Sequence, residues 1–87
     1  MSVLDQAWAL APQVSVRPEP FGALLYHFGT RRLSFLKDRR LLAVVQGLAE
    51  APTARAACVD AGIGPSELRA YERALIRLAE TDMLRAR

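Results

Sequence analysis

The stretch from Leu24 to Leu36, Leu-Leu-Tyr-His-Phe-Gly-Thr-Arg-Arg-Leu-Ser-Phe-Leu, constrains the rest of this chain more than any other. Two runs of leucine and aromatic residues flank Gly29-Thr30. A two-residue loop with glycine first suits a type II′ turn, whose first central residue has positive φ. The reading is a β-hairpin with strands over 23–28 and 31–36. Upstream, Val14-Ser15-Val16-Arg17 alternates apolar and polar residues as a short strand does. Pro18-Glu19-Pro20 then interrupts it, since each proline lacks an N–H and restricts its predecessor. Three short strands suffice for a small antiparallel sheet. Leu24, Tyr26 and Phe28 share one face of the first hairpin strand, and Leu25 and His27 the other. In the second, Leu33 and Phe35 oppose Arg32, Ser34 and Leu36. One face is strongly apolar, and the helices that follow are expected to cover it.

Asp38 suits the cap of a helix from Arg39 to about Ala49, in which Leu41, Leu42, Val44, Val45 and Leu48 recur at helical spacing. Pro52 suits the first helical position of a short second helix ending near Ala61, and Gly62 the left-handed stop after it. Pro65 starts a third helix reaching about Thr81, with Leu68, Tyr71, Leu75, Leu78 and Ala79 as its apolar stripe. Arg69, Arg73, Arg77 and Glu80 lie on the opposite face. The order, three strands then three helices, is an α+β fold. Residues 1–12, with Trp8 and Leu10 as anchors, are expected to form an irregular N-terminal arm, and residues 13–87 a single domain. The arm and the unpaired strand edges leave a homodimer open.

Charge is concentrated in one place. Residues 1–40 hold six Lys/Arg against three acids, whereas residues 41–87 hold six against six. Within residues 31–40 alone there are five cations and one acid, a local excess of +4. Such a patch favours an acidic partner, peptide or nucleic acid. Basic residues also blunt an exposed strand against aggregation, and charge alone does not separate the two uses. No apolar run approaches the roughly 20 residues of a membrane span, and residues 1–13 lack a basic stretch of the kind that opens a secretory signal. The single cysteine, Cys58, can form neither an internal disulfide nor a zinc cluster, so a reducing, cytoplasmic setting is expected.

The residues do not compose a catalytic site. His27 is the one histidine and has no Cys, Asp or Glu near it in sequence, whereas general-base work needs a positioned partner. It reads as a structural histidine, and Cys58, amid Ala54, Ala56, Ala57 and Ala61, as a small core residue. No phosphate-binding glycine loop and no metal-ligand spacing occurs. A small winged-helix DNA-binding protein is the alternative. Cys58, Gly62 and Leu68 have the spacing of a helix-turn-helix, and Arg69, Arg73 and Arg77 would then face phosphates. Against it, Glu67, Glu72 and Glu80 interrupt that basic face, which lacks Asn and Gln. A sheet edge able to take up an extended acidic peptide, with the third helix as a second wall, accounts better for the charge.

The run Arg17-Pro18-Glu19-Pro20-Phe21-Gly22-Ala23-Leu24-Leu25-Tyr26-His27-Phe28-Gly29, continued by Arg31-Arg32-Leu33-Ser34-Phe35-Leu36-Lys37, resembles the mycofactocin precursor peptide chaperones. These are stand-alone members of the PqqD-like family, recognition elements in ribosomal peptide modification. The resemblance implies a winged-helix-like fold of a three-stranded antiparallel sheet and three helices, without catalytic activity. It implies that the leader of a ribosomally made precursor is held as an added strand between the third strand and the third helix. From there it would be presented to a radical S-adenosylmethionine maturase, which oxidatively decarboxylates and crosslinks the precursor's terminal Val-Tyr. Iron–sulfur clusters and S-adenosylmethionine would belong to that enzyme, and this chain would carry no cofactor. The implied partner is an acidic leader, with no membrane and no nucleic acid. Carried onto this sequence, the peptide-binding residues are Arg31, Arg32, Leu33, Ser34, Phe35 and Leu36. Arg69, Arg73, Ile76 and Arg77 join them by helical-wheel geometry.

Overall fold

Ala23, Leu25 and Leu36 are fully buried on one face of the hairpin, and the helices close over them. The computed structural model describes residues 2–87. Its strands are β1 (Trp8–Leu10), β2 (Val14–Glu19), β3 (Gly22–His27), β4 (Leu33–Leu36) and β5 (Leu84–Ala86). Its helices are α1 (Arg39–Gly47), α2 (Ala54–Asp60) and α3 (Leu68–Glu80), with 3₁₀ turns at Val3–Asp5 and Leu48–Glu50. β2, β3 and β4 form the expected three-stranded antiparallel sheet in that order, and with three helices the fold is α+β. No helix of the described residues is long and apolar enough to cross a membrane.

The covered face is not the one expected. Phe28, Leu33 and Phe35 are 64%, 60% and 64% exposed, while Ala23, Leu25, His27 and Leu36 are buried. Both faces are apolar enough to bury, and the connection decides between them. Only Lys37 separates Leu36 from Asp38, whose carboxylate accepts from Leu41 N–H at 2.7 Å and caps α1. The helix therefore returns over the face into which Leu36 points. Gly22 permits the approach, since a Cβ there would fall 2.1 Å from the Leu36 carbonyl oxygen.

The hairpin keeps the expected register, with Tyr26 opposite Leu33 and Ala23 opposite Leu36. Its tip is not the type II′ turn. Arg31 N–H donates to the His27 carbonyl at 2.7 Å, and the positive φ belongs to Arg31 (62°), not to Gly29. The imidazole of buried His27 explains the change. Its Nδ1 accepts from both Gly29 and Thr30 N–H, each at 3.0 Å. Gly29 is small because a Cβ would meet that ring at 2.9 Å. His27 is a structural histidine, as expected.

The N-terminal residues are more ordered than an irregular arm. Val3 and Leu4 are buried in the core, and β1 pairs antiparallel with β5, Trp8 opposite Ala86. Trp8 and Leu10 pack on the core as anchors, and the indole N–H donates to the Val3 carbonyl at 3.0 Å. Two boundaries also move. Thr53 caps α2 through Ala56 N–H at 3.2 Å, so Pro52 precedes the cap instead of entering the helix, and α3 starts at Leu68, three residues after Pro65. Gly62 has the left-handed φ of 83° that stops α2. Cys58 is fully buried among alanines, and burial pushes its thiol up.

Candidate functional site: a groove between a free strand edge and a helix

β4 pairs with β3 alone, so its other side is an edge. The bond from His27 N–H to the Arg32 carbonyl (3.0 Å) sets the phase of the ladder. In an antiparallel pair the bonded positions alternate, so Ser34 and Leu36 face β3 while the N–H and C=O of Leu33 and Phe35 face outward. At the opposite edge, the bond from Phe28 N–H to the Gln13 carbonyl (2.9 Å) turns Val14, Val16 and Pro18 outward. Val14 N–H is already bound to the Ala11 carbonyl, and Pro18 has no N–H. β2 is a blunted edge; β4 is a receptive one.

Beside the β4 edge runs a groove of about 600 Å³, walled by residues 33–36 on one side and α3 on the other. Ala70 and Ala74, one helical turn apart, belong to the first half of the helix wall. Their short side chains leave room for a further strand, which would lie about 4.8 Å from β4. Leu41 and Leu78 contribute apolar surface, and Lys37, Arg73, Arg77, Glu80 and Thr81 edge the opening.

One end of the groove is fixed by a polar cluster. The Tyr71 hydroxyl donates to the Asp38 carboxylate, 3.0 Å from Oδ2 and 3.1 Å from Oδ1. Burial, then this bond, raises the phenol above its ordinary value. Arg40 makes a bidentate pair with Glu67 at 2.7 and 2.9 Å, and its guanidinium sits 5.7 Å from the Tyr71 ring centre. The pairing raises Arg40 and holds Glu67 below the usual carboxylate range. Asp38 and Glu67 are thus engaged. Among the described residues, no carboxylate lies within ion-pair distance of Lys37, Arg73 or Arg77. The opening is left with a cationic excess.

Of the residues singled out from sequence, Leu33, Ser34, Phe35, Leu36, Arg73 and Arg77 come together around this groove. Arg31 and Arg32 are exposed in the hairpin loop beyond its end. Arg69 is exposed on the flank of α3 outside the lining. Ile76, 39% exposed, sits about 160° round the helix from Ala74 at 100° per residue and faces away. Sequence reasoning missed Ala70, Ala74, Tyr71 and Asp38 as lining residues. The alanine pair spaced by four was the available signal, a small-residue notch in an otherwise bulky helix. Among the described residues, no group of three His, Cys, Asp or Glu could hold a metal ion.

No solved structure gives a significant match to this chain. The profile of the Peptide chaperone MftB family matches residues 7–85. A protein of Mycobacterium tuberculosis (strain ATCC 25618 / H37Rv) named Peptide chaperone MftB is 60% identical over 80 residues, covering 92% of this chain and 73% of the relative. Its counterpart of the same name in Mycolicibacterium smegmatis (strain ATCC 700084 / mc(2)155) is 54% identical over 80 residues, covering 92% of this chain and 78% of the relative. With the match running from before β1 into β5, the chain belongs to the Peptide chaperone MftB family, whose role is to hold a peptide and not to catalyse.

Proposed function

We propose that this chaperone binds the leader of a ribosomally made precursor, the mycofactocin precursor, as a fourth strand on β4. It then presents the precursor's other end to a radical S-adenosylmethionine maturase. The observation that carries the reading is the free β4 edge lying across a 600 Å³ groove from α3. Backbone N–H and C=O groups of Leu33 and Phe35 supply the affinity common to any extended chain, and the groove supplies side-chain selection. Lys37, Arg73 and Arg77 favour carboxylates on the guest. The iron–sulfur clusters and S-adenosylmethionine belong to the enzyme in this reading. The chaperone needs no cofactor and works in the cytoplasm.

Titration of the ¹⁵N-labelled chain with the acidic leader peptide tests this. Amide shifts should concentrate at residues 33–37 and on the Ala70–Ala74–Arg77 side of α3. Shifts confined to β2 or α2 would refute the groove. The duplex DNA reading finds no support in the family match, and a mobility-shift assay at low salt should show no complex.

A further inference from the structure

The face of the β2-β3-β4 sheet turned away from the helices carries Leu24, Tyr26, Phe28, Leu33 and Phe35, with Phe21 beside them. Leu24 stands opposite Phe35 and Tyr26 opposite Leu33. Tyr26 meets Phe28 edge-on at 5.0 Å between ring centres, and Phe21 lies 6.4 Å from Phe35. The core is closed on the other face; on this one Phe21, Phe28, Leu33 and Phe35 stay exposed among the described residues, with Leu24 and Tyr26 half-buried between them. Soluble proteins seldom leave so continuous an apolar surface without a partner for it.

The rim identifies the partner's chemistry. Arg17 lies across from Leu24, Arg31 and Arg32 stand at the loop end, and Lys37 follows β4 directly. Glu19 is the acid of this group and is bound to Arg17 at 3.0 Å. A second copy seated face to face about a two-fold axis would press these cations together. A different protein, with an apolar patch edged by carboxylates, would meet them favourably. The face is also continuous with the peptide-binding edge. A strand added to β4 sends every second side chain onto this same surface, beside Leu33 and Phe35. A protein seated there touches chaperone and guest together.

We propose that this outer sheet face docks the maturase, through an apolar, carboxylate-edged patch on that enzyme. The proposal rests on the peptide-holding reading above, and two separate titrations keep them apart. Leader peptide added to the wild-type chain without enzyme tests the earlier reading; absence of binding there ends both. Purified maturase added to the same chain and its variants tests the docking face. The double variant Leu24→Thr, Phe28→Ser should keep leader affinity within about twofold and lose about tenfold or more of its affinity for the maturase. Arg17→Glu, at an exposed position, should weaken the same complex, and more so at low salt. Ala74→Arg should do the converse, losing leader and keeping enzyme. If the double variant fails to fold, Arg17→Glu decides. Unchanged maturase affinity in the outer-face variants overturns the proposal. So does a wild-type dimer, seen by sedimentation, that these variants dissolve.

Discussion

The Tyr71 hydroxyl and the Asp38 carboxylate, 3.0 Å apart, tie the helix wall of the groove to the residue that ends the strand wall. Asp38 also caps α1 through Leu41 N–H, so one carboxylate sets the groove width and the helix direction together. Tyr71→Phe should cost about 1 kcal/mol of stability and weaken leader binding severalfold, with the fold unchanged by circular dichroism. Asp38→Ala loses the cap as well, and should cost about 2 kcal/mol or more in urea denaturation.

Two proline substitutions one residue apart should behave oppositely. The Phe35 N–H faces the free edge, so Phe35→Pro leaves the β3 ladder in place while removing a donor for the guest strand. The expected result is a folded protein whose leader affinity drops about tenfold or more. The Ser34 N–H faces β3, so Ser34→Pro should lower the melting temperature by several degrees, through a lost ladder bond worth about 1–3 kcal/mol once its partner is orphaned. Calorimetry of both binding and melting separates the pair.

The cations at the opening should act by position and not by number. Arg73→Glu with Arg77→Glu should weaken leader binding and flatten its dependence on salt, because both line the groove. Arg69→Glu, outside the lining, should change it little. Titrations at 50 and 500 mM salt read the difference.

Acid should loosen the α1–α3 connection at a predictable point. Arg40 holds Glu67 below its ordinary value of 4.5, so the folded state binds that proton less readily than the unfolded chain. The contribution is therefore full above about pH 4.5 and is lost as pH falls through the lowered value. Glu67→Gln should flatten the acid limb of the melting-temperature profile between pH 5 and 3, if set beside wild type over that range. At the alkaline end the raised Tyr71 phenol acts in the other direction. Its contribution is present below the ordinary value of 10 and is lost as pH rises through the raised one, a limb absent from Tyr71→Phe.

What could be read in the chain without its structure was whatever neighbours in sequence decide. The Asp38 cap, the Gly62 stop and the hairpin register all depend on residues a few positions apart, and each is found as expected. The covered face of the sheet depends instead on a two-residue link, and Leu25 and Leu24 are equally apolar. The β1–β5 pairing joins Trp8 to Ala86 across nearly the whole chain, in strands of three residues, too short to show alternation. In the candidate groove, residues 33–36 were legible as a strand, whereas their place at the open edge comes from the pairing order β2-β3-β4. The α3 side was half legible: Arg73 and Arg77 fall on the groove, whereas Arg69 and Ile76 fall outside because the wheel was phased on the buried stripe and not on β4.

Pro18 gives the sheet a direction. Stacking copies of the three-stranded sheet into a continuous ribbon needs a receptive strand at both of its edges, one to give and one to take, and on the β2 side Pro18 has no N–H and Val14 N–H is already bound. A chain that joined this sheet at β4 would leave the blunted β2 as its other edge. The three-stranded sheet is built as an end-stop: an extended guest added at β4 would not carry it on into a fibre of copies.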